Sequence, residues 1–185
     1  MKYLVVVDMQ NDFIDGALGT PEAQAIVPKV VKKIEEFDGE ILWTQDTHDE
    51  LYLMRQEGKL LPVKHCIAAS GGWRINSLVE TAIQSRAPAN DQSNGFTKRT
   101  FGSVGLASRL VGDGMYGDGV EEIVLIGLCT DICVISNALL LKAFLPEAKI
   151  TVDASCCAGV TPERHKTALE AMKACQIFIE NEVAE

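Results

Sequence analysis

Short, almost purely apolar runs alternate along this chain with stretches of helical periodicity, and that alternation limits the fold more than any other feature. The apolar runs are Tyr3–Asp8, Glu40–Thr44, Ile123–Gly127 and Lys149–Asp153. Runs of this kind read as strands buried on both faces. Ala23–Phe37 places Ile26, Val27, Val30, Val31, Ile34 and Phe37 on one helical face, after Thr20-Pro21-Glu22 as cap and first turn. Arg74–Ile83, Leu106–Leu110 and Val134–Phe144 read as further helices, and Thr161-Pro162-Glu163 opens one reaching to Ala174. Cys175–Ile179 reads as a last strand, and the polar stretch after His48 as irregular up to Gly72. The class predicted is α/β: a three-layer α-β-α arrangement, Rossmann-like, with a central, mostly parallel sheet. No repeat, low-complexity run or linker interrupts it, so residues 1–185 are expected to form a single domain.

Composition narrows the function classes. With 47% hydrophobic residues in 185, the chain has material for a core and is not a disordered segment. Six cysteines are too sparse for a disulfide scaffold. A net charge of −9 argues against a nucleic-acid partner. No run is long enough to span a membrane, and acids from Asp8 onward interrupt the apolar N-terminus before any cleavage site. A cytoplasmic location with reduced cysteines is therefore expected.

In parallel sheets, ligands bind beyond the carboxyl ends of the strands. Three such ends carry reactive residues: Asp8, Asp46 with His48, and Cys129 to Cys133. No GxGxxG or P-loop pattern is present, and Gly112-Asp113-Gly114 with Gly117-Asp118-Gly119 reads as a turn. Cys133 is the strongest nucleophile candidate. It follows a strand at the expected first turn of a helix, where positive partial charge and free N–H groups favour a thiolate and can hold an oxyanion. The remaining cysteines read as small buried hydrophobes. His165, on a charged helix start, reads as solvated. Asp46-x-His48, with His65 and with Glu57 between them, offers ligands for a divalent metal: zinc first, with manganese or iron as alternatives. Asp8 is either a cap at a strand end or the base for the thiol. Lys98, beside Arg99, is either a solvated loop charge or a cation that holds Asp8 ionised.

Together these segments resemble the isochorismatase-like cysteine hydrolases. Val5-Val6-Val7-Asp8-Met9-Gln10-Asn11-Asp12-Phe13 resembles that family's opening signature. Gly127-Leu128-Cys129-Thr130-Asp131-Ile132-Cys133-Val134 resembles its nucleophile loop, and Lys98 before Thr100-Phe101-Gly102-Ser103 its lysine motif. The resemblance runs from Lys2 to Cys175, in order. It implies an isochorismatase-like fold, a triad of Asp8, Lys98 and Cys133, and a cis peptide at Leu128–Cys129 that aims the Cys129 and Cys133 amides at an oxyanion. Within the family the nicotinamidase branch matches best. Asp46-Thr47-His48, Glu57 and His65 resemble its metal loop, and His65-Cys66-Ile67 before Gly71-Gly72-Trp73 the stretch beyond it. Phe13 would wall the ring pocket. Leu61-Pro62-Val63-Lys64 departs from the branch, some members of which place an aromatic there.

The resemblance implies an amidohydrolase that converts nicotinamide to nicotinate and ammonia through a cysteine acyl-thioester, with a metal orienting the pyridine ring. The alternative is a related hydrolase acting on another small amide, a carbamoyl compound or isochorismate. A metal-binding interaction module with an inert cysteine and a redox protein using Cys129 and Cys133 rank behind. The expected partner is a small-molecule amide, with no nucleic acid or membrane. Self-association into a homo-oligomer is expected by analogy alone.

Overall fold

The computed structural model describes residues 1–86, 93–112 and 119–182. The turn expected around Asp113 and Asp118 lies outside them. Six strands form one parallel sheet: β1 (Lys2–Val7), β2 (Glu40–Asp46), β3 (Gly95–Lys98), β4 (Glu122–Leu128), β5 (Lys149–Ala158) and β6 (Phe178–Glu180). Their spatial order is β3-β2-β1-β4-β5-β6. The chain thus winds outward from β1 in one direction through β3 and in the other through β6. That reversal of direction lies between β1 and β4, the position at whose carboxyl end parallel sheets bind ligands.

Successive side chains of a strand point to opposite faces, and β1 shows the consequence. Tyr3, Val5 and Val7 enter one core cluster, Leu4 and Val6 the other. The second cluster is closed by α1 (Asn11–Ile14), α2 (Pro21–Glu36) and α4 (Ser77–Arg86). The first is closed by α5 (Val104–Val111), α6 (Ile135–Phe144) and α7 (Pro162–Ala174). This is the three-layer parallel α/β architecture read from the sequence.

The helix starts follow ordinary capping chemistry. Thr20 accepts the Ala23 N–H at 3.0 Å and Thr161 accepts the Arg164 N–H at 3.2 Å, each followed by proline at the first helical position. Ser103 caps α5 through the Leu106 N–H at 3.2 Å.

Several expectations need correction. Gly95–Lys98, read as loop, is the edge strand β3; four residues, of which only Lys98 is buried, carry no apolar run to recognise. The last strand is Phe178–Glu180 rather than Cys175–Ile179, because α7 ends at Ala174 and a left-handed Gln176 turns the chain first. The stretch after His48 is not wholly irregular. It holds a 3₁₀ turn, Tyr52–Met54, and α3, Gln56–Leu60.

One glycine sets how closely the two central strands approach. Gly127 has φ +115°, and a Cβ there would lie 2.1 Å from the Val7 carbonyl oxygen. Any other residue would push β4 off β1 at the end where Asp8 and Cys129 emerge.

Candidate active site and metal centre

Asp8 follows β1 directly, in a left-handed conformation (φ +46°) that is costly for a non-glycine residue. Its surroundings hold it there. Its N–H donates to the Thr44 carbonyl at 3.2 Å, and the Thr44 hydroxyl donates to Asp8 Oδ1 at 2.7 Å. The other carboxylate oxygen lies 2.6 Å from Lys98 Nζ, as an ion pair rather than a well-aligned hydrogen bond.

Lys98 ends β3, and its side chain is buried. Its ammonium reaches across the strand ends to Asp46 Oδ1 at 3.5 Å and donates to Cys133 Sγ at 3.4 Å. The solvated alternative for this lysine is thereby excluded. Burial works against its charge, but Asp8, Cys133 and Asp46 outweigh that and raise its pKa.

Cys133 lies in a widened, π-type turn, Thr130–Val134, which runs into α6. The Leu128–Cys129 peptide before it is cis. Cys133 Sγ accepts from Lys98, and burial followed by the Asp8 charge pushes the thiol pKa well above the usual range, with Lys98 opposing. Burial and the neighbouring carboxylate thus oppose the bias toward a thiolate expected at a helix start. Asp8 is itself shifted upward by burial, against Lys98. The arrangement is a carboxyl group and a sulfur bridged by one ammonium.

The turn is tied to α7 by contacts that motif reading missed. His165 is half-buried, with Nδ1 2.7 Å from the Thr130 hydroxyl, not solvated as expected. Asp131 accepts the Val160 N–H at 3.0 Å and pairs with Arg164 at 2.7 Å.

Next to this group lies the metal-type cluster. Asp46, His48 and His65 each present a ligand atom, all within 4.8 Å of one another. Asp46 is gripped by the Gln10 carboxamide, which accepts its N–H at 2.8 Å and donates to its carbonyl at 2.9 Å. His48 and the segment carrying His65 are laced together by His48 N–H to Cys66 O and Ala68 N–H to His48 O, both 2.9 Å. Tyr52 packs on both imidazoles, with ring centroids 4.6 Å from His48 and 5.0 Å from His65. Phe13 flanks His65 at 5.5 Å.

The donor set fits a divalent cation. His65 Nδ1 donates to the Val63 carbonyl at 2.8 Å, which leaves the Nε2 lone pair toward the cluster. His48 Nε2 is buried without a hydrogen-bond partner although Asp46 Oδ2 is 2.9 Å away. Two imidazole nitrogens and one carboxylate are a familiar metal-binding set. Glu57 stands at the rim, with Oε1 3.5 Å from His48 Nε2 and 3.9 Å from His65 Nε2, outside the compact trio. Burial opposes ionisation of Asp46, but His48, His65 and Lys98 hold its carboxyl well below the usual range. Asp46 thus belongs to both groups.

Tyr52, Gln10 and Thr44 were not anticipated. Gln10 and Thr44 act across 36 residues, and Tyr52 reaches both His48 and His65 from a turn between them. The described cysteines are free; of these Cys129 is half-buried, with burial pushing its pKa up to about 12.

Residues 2–182 match the family model for the isochorismatase domain. No curated protein sequence matches the chain. Among solved structures, the pyrazinamidase of Pyrococcus horikoshii in complex with zinc is 27% identical, with a TM-score of 0.74 over 96% of this chain and 97% of that one. The pyrazinamidase/nicotinamidase of Streptococcus mutans UA159 is 28% identical, with a TM-score of 0.77 over 97% and 99%. N-carbamoylsarcosine amidase of Thermoplasma acidophilum is 22% identical, with a TM-score of 0.68 over 100% and 99%, a likeness that bears on the fold alone.

Proposed function

The chain belongs to the isochorismatase domain family of hydrolases, and from that premise we propose that it is a cysteine amidohydrolase of the nicotinamidase type. One observation carries the reading: the Lys98 ammonium touches both the Asp8 carboxylate and the Cys133 sulfur, 2.6 and 3.4 Å away, beside an Asp-His-His cluster. The similarity to pyrazinamidases and nicotinamidases at 27–28% identity supports the choice of a heteroaromatic carboxamide as substrate.

In the proposed reaction Asp8 takes the thiol proton as Cys133 Sγ attacks the carboxamide carbon. The C–S bond forms while the carbonyl π electrons move to oxygen. The amides of Cys129 and Cys133 receive that oxyanion, each such donor contributing about 3–4 kcal/mol in comparable sites. Asp8 returns the proton to the amino group, the C–N bond breaks, and ammonia leaves an acyl-thioester on Cys133. Asp8 then draws a proton from water, which attacks the thioester and releases the acid and the thiol. Lys98 keeps Asp8 ionised between these steps. Asp46, His48 and His65 would hold a divalent ion, zinc by preference, whose Lewis acidity supplies a contact for the ring nitrogen. Phe13, beside His65, would wall the ring.

The test is ammonia release from nicotinamide by metal-loaded protein, alongside pyrazinamide, N-carbamoyl compounds and isochorismate. Nicotinamide should be hydrolysed and Cys133→Ala should abolish turnover with the fold intact. Hydrolysis of only another member of the panel would move the substrate within the family. Near-native turnover by Cys133→Ala would refute the nucleophile.

A further inference from the structure

Lys98 ends β3 and Cys133 lies in the turn that follows β4, and β2 and β1 lie between those two strands. Something beyond the sheet must hold the loop after β3 against the turn that carries the cysteine. Asn137, fully buried on the first turns of α6, spans that gap. Its Oδ1 accepts the Ser103 N–H at 2.9 Å. Its Nδ2 donates to the Phe101 carbonyl at 3.2 Å and to the Cys133 carbonyl at 2.8 Å. One carboxamide thus joins the nucleophile's own backbone to the loop that leaves Lys98. The loop lies close on α6: a Cβ at Gly102 would come 3.2 Å from the Ser136 carbonyl oxygen and 3.3 Å from Leu140. Cys133 is the fourth residue before Asn137, so the amide bond to its carbonyl also supports a turn that is wider than an α-helix.

We propose that Asn137 is a positioning residue: it sets the distance between the Lys98 ammonium and Cys133 Sγ by bracing the 99–103 loop against the nucleophile turn. The inference rests on Cys133 being the nucleophile, as argued above. A buried amide with three partners could serve stability alone, so the readout must be the thiol. The charged groups facing Cys133 are Asp8, Lys98 and Asp46. Of these Lys98 is the cation carried on the braced loop's strand, and moving it away disfavours the thiolate.

The experiment is the pH dependence of iodoacetamide alkylation at Cys133 in the metal-loaded protein, followed by mass spectrometry, with exposed Cys175 as the internal reference. Wild type is compared with Asn137→Ala and Asn137→Thr. Threonine can keep the bond to the Cys133 carbonyl but cannot satisfy the loop, and it decides the matter if the alanine variant does not fold. The apparent pKa of Cys133 should rise by about one unit in both variants, a tenfold loss of thiolate at fixed pH, with Cys175 unchanged. Where turnover is measured, kcat should fall with KM nearly constant. An unchanged or lowered apparent pKa, whatever the melting temperature does, overturns the proposal, as does a rise confined to the alanine variant. Near-native turnover by Cys133→Ala would defeat the nucleophile reading separately, and the comparison of Asn137 variants would still test the brace.

Discussion

Lys98 Nζ stands 2.6 Å from Asp8 Oδ2 although a whole strand, β2, separates β3 from β1. The lysine side chain bridges the sheet's carboxyl edge, and both groups are buried. Breaking such a pair leaves an uncompensated charge in the interior, which typically costs about 3–5 kcal/mol. Lys98→Met should therefore lower the urea-unfolding free energy by an amount of that order and remove turnover. A variant as stable as wild type would show that water or the metal already compensates Asp8.

Thr44 tests the role of Asp8 more gently. Burial raises the Asp8 pKa, while Lys98 and the Thr44 hydroxyl pull it down. Thr44→Val removes the hydroxyl with little change of shape, so the Asp8 pKa should rise further. The active form on this reading is the carboxylate. The acidic limb of the kcat/KM profile should consequently move to higher pH, with the alkaline limb less affected; an unmoved acidic limb would count against Asp8 as the base.

The metal cluster predicts linked stability. An ion that binds only the folded chain stabilises it by mass action, about 2.7 kcal/mol at a free concentration 100 times its dissociation constant. Chelation of zinc-loaded protein should lower its melting temperature, and Asp46→Ala or His48→Ala should erase both the metal content and that response. Equal melting curves before and after verified metal removal would exclude a structural contribution from the ion.

Far from the site, Lys33 on α2 donates to Asp153 Oδ2 and Glu180 Oε1, both at 2.8 Å, joining α2 to β5 and β6. Burial would raise the Asp153 pKa, but hydrogen bonds from Lys33, Ser155 and Asn181 outweigh it and the net shift is downward. A depressed carboxylate contributes stability above its unfolded pKa, about 3.9, and loses it as pH falls through the folded value. For Lys33, burial opposes the charge, yet Asp153 and Glu180 raise its pKa to about 12. Its contribution is complete below the unfolded value, about 10.4, and fades as pH climbs through 12. Melting temperatures of wild type and Asp153→Asn should thus differ at neutral pH and converge below pH 4. A constant gap across that range would show that packing, not ionisation, is responsible.

Much of the architecture could be read without coordinates, for a definite reason. Central parallel strands are covered on both faces, so β1 and β4 appear as unbroken apolar runs, and α2 and α7 announce their starts with threonine followed by proline. Edge strands lack that signature. β3 pairs on one side only and presents partly exposed residues, and so it read as loop. The Tyr52 turn that stacks on both histidines is a single short turn, too brief to show a helical period, with Leu51, Leu53 and Met54 exposed.

The amino-acid order alone determined the elements, their alternation and the reactive residues that each strand end would carry, because those depend on local periodicity and on which side chains avoid water. Only the tertiary structure decided what these groups mean to one another. It chose the buried bridge over the solvated charge for Lys98, set burial and a carboxylate against the Cys133 thiolate, and placed Asp46 between two clusters. Those outcomes depend on desolvation and on charges brought together from remote segments, and neither can be read from neighbours along the chain.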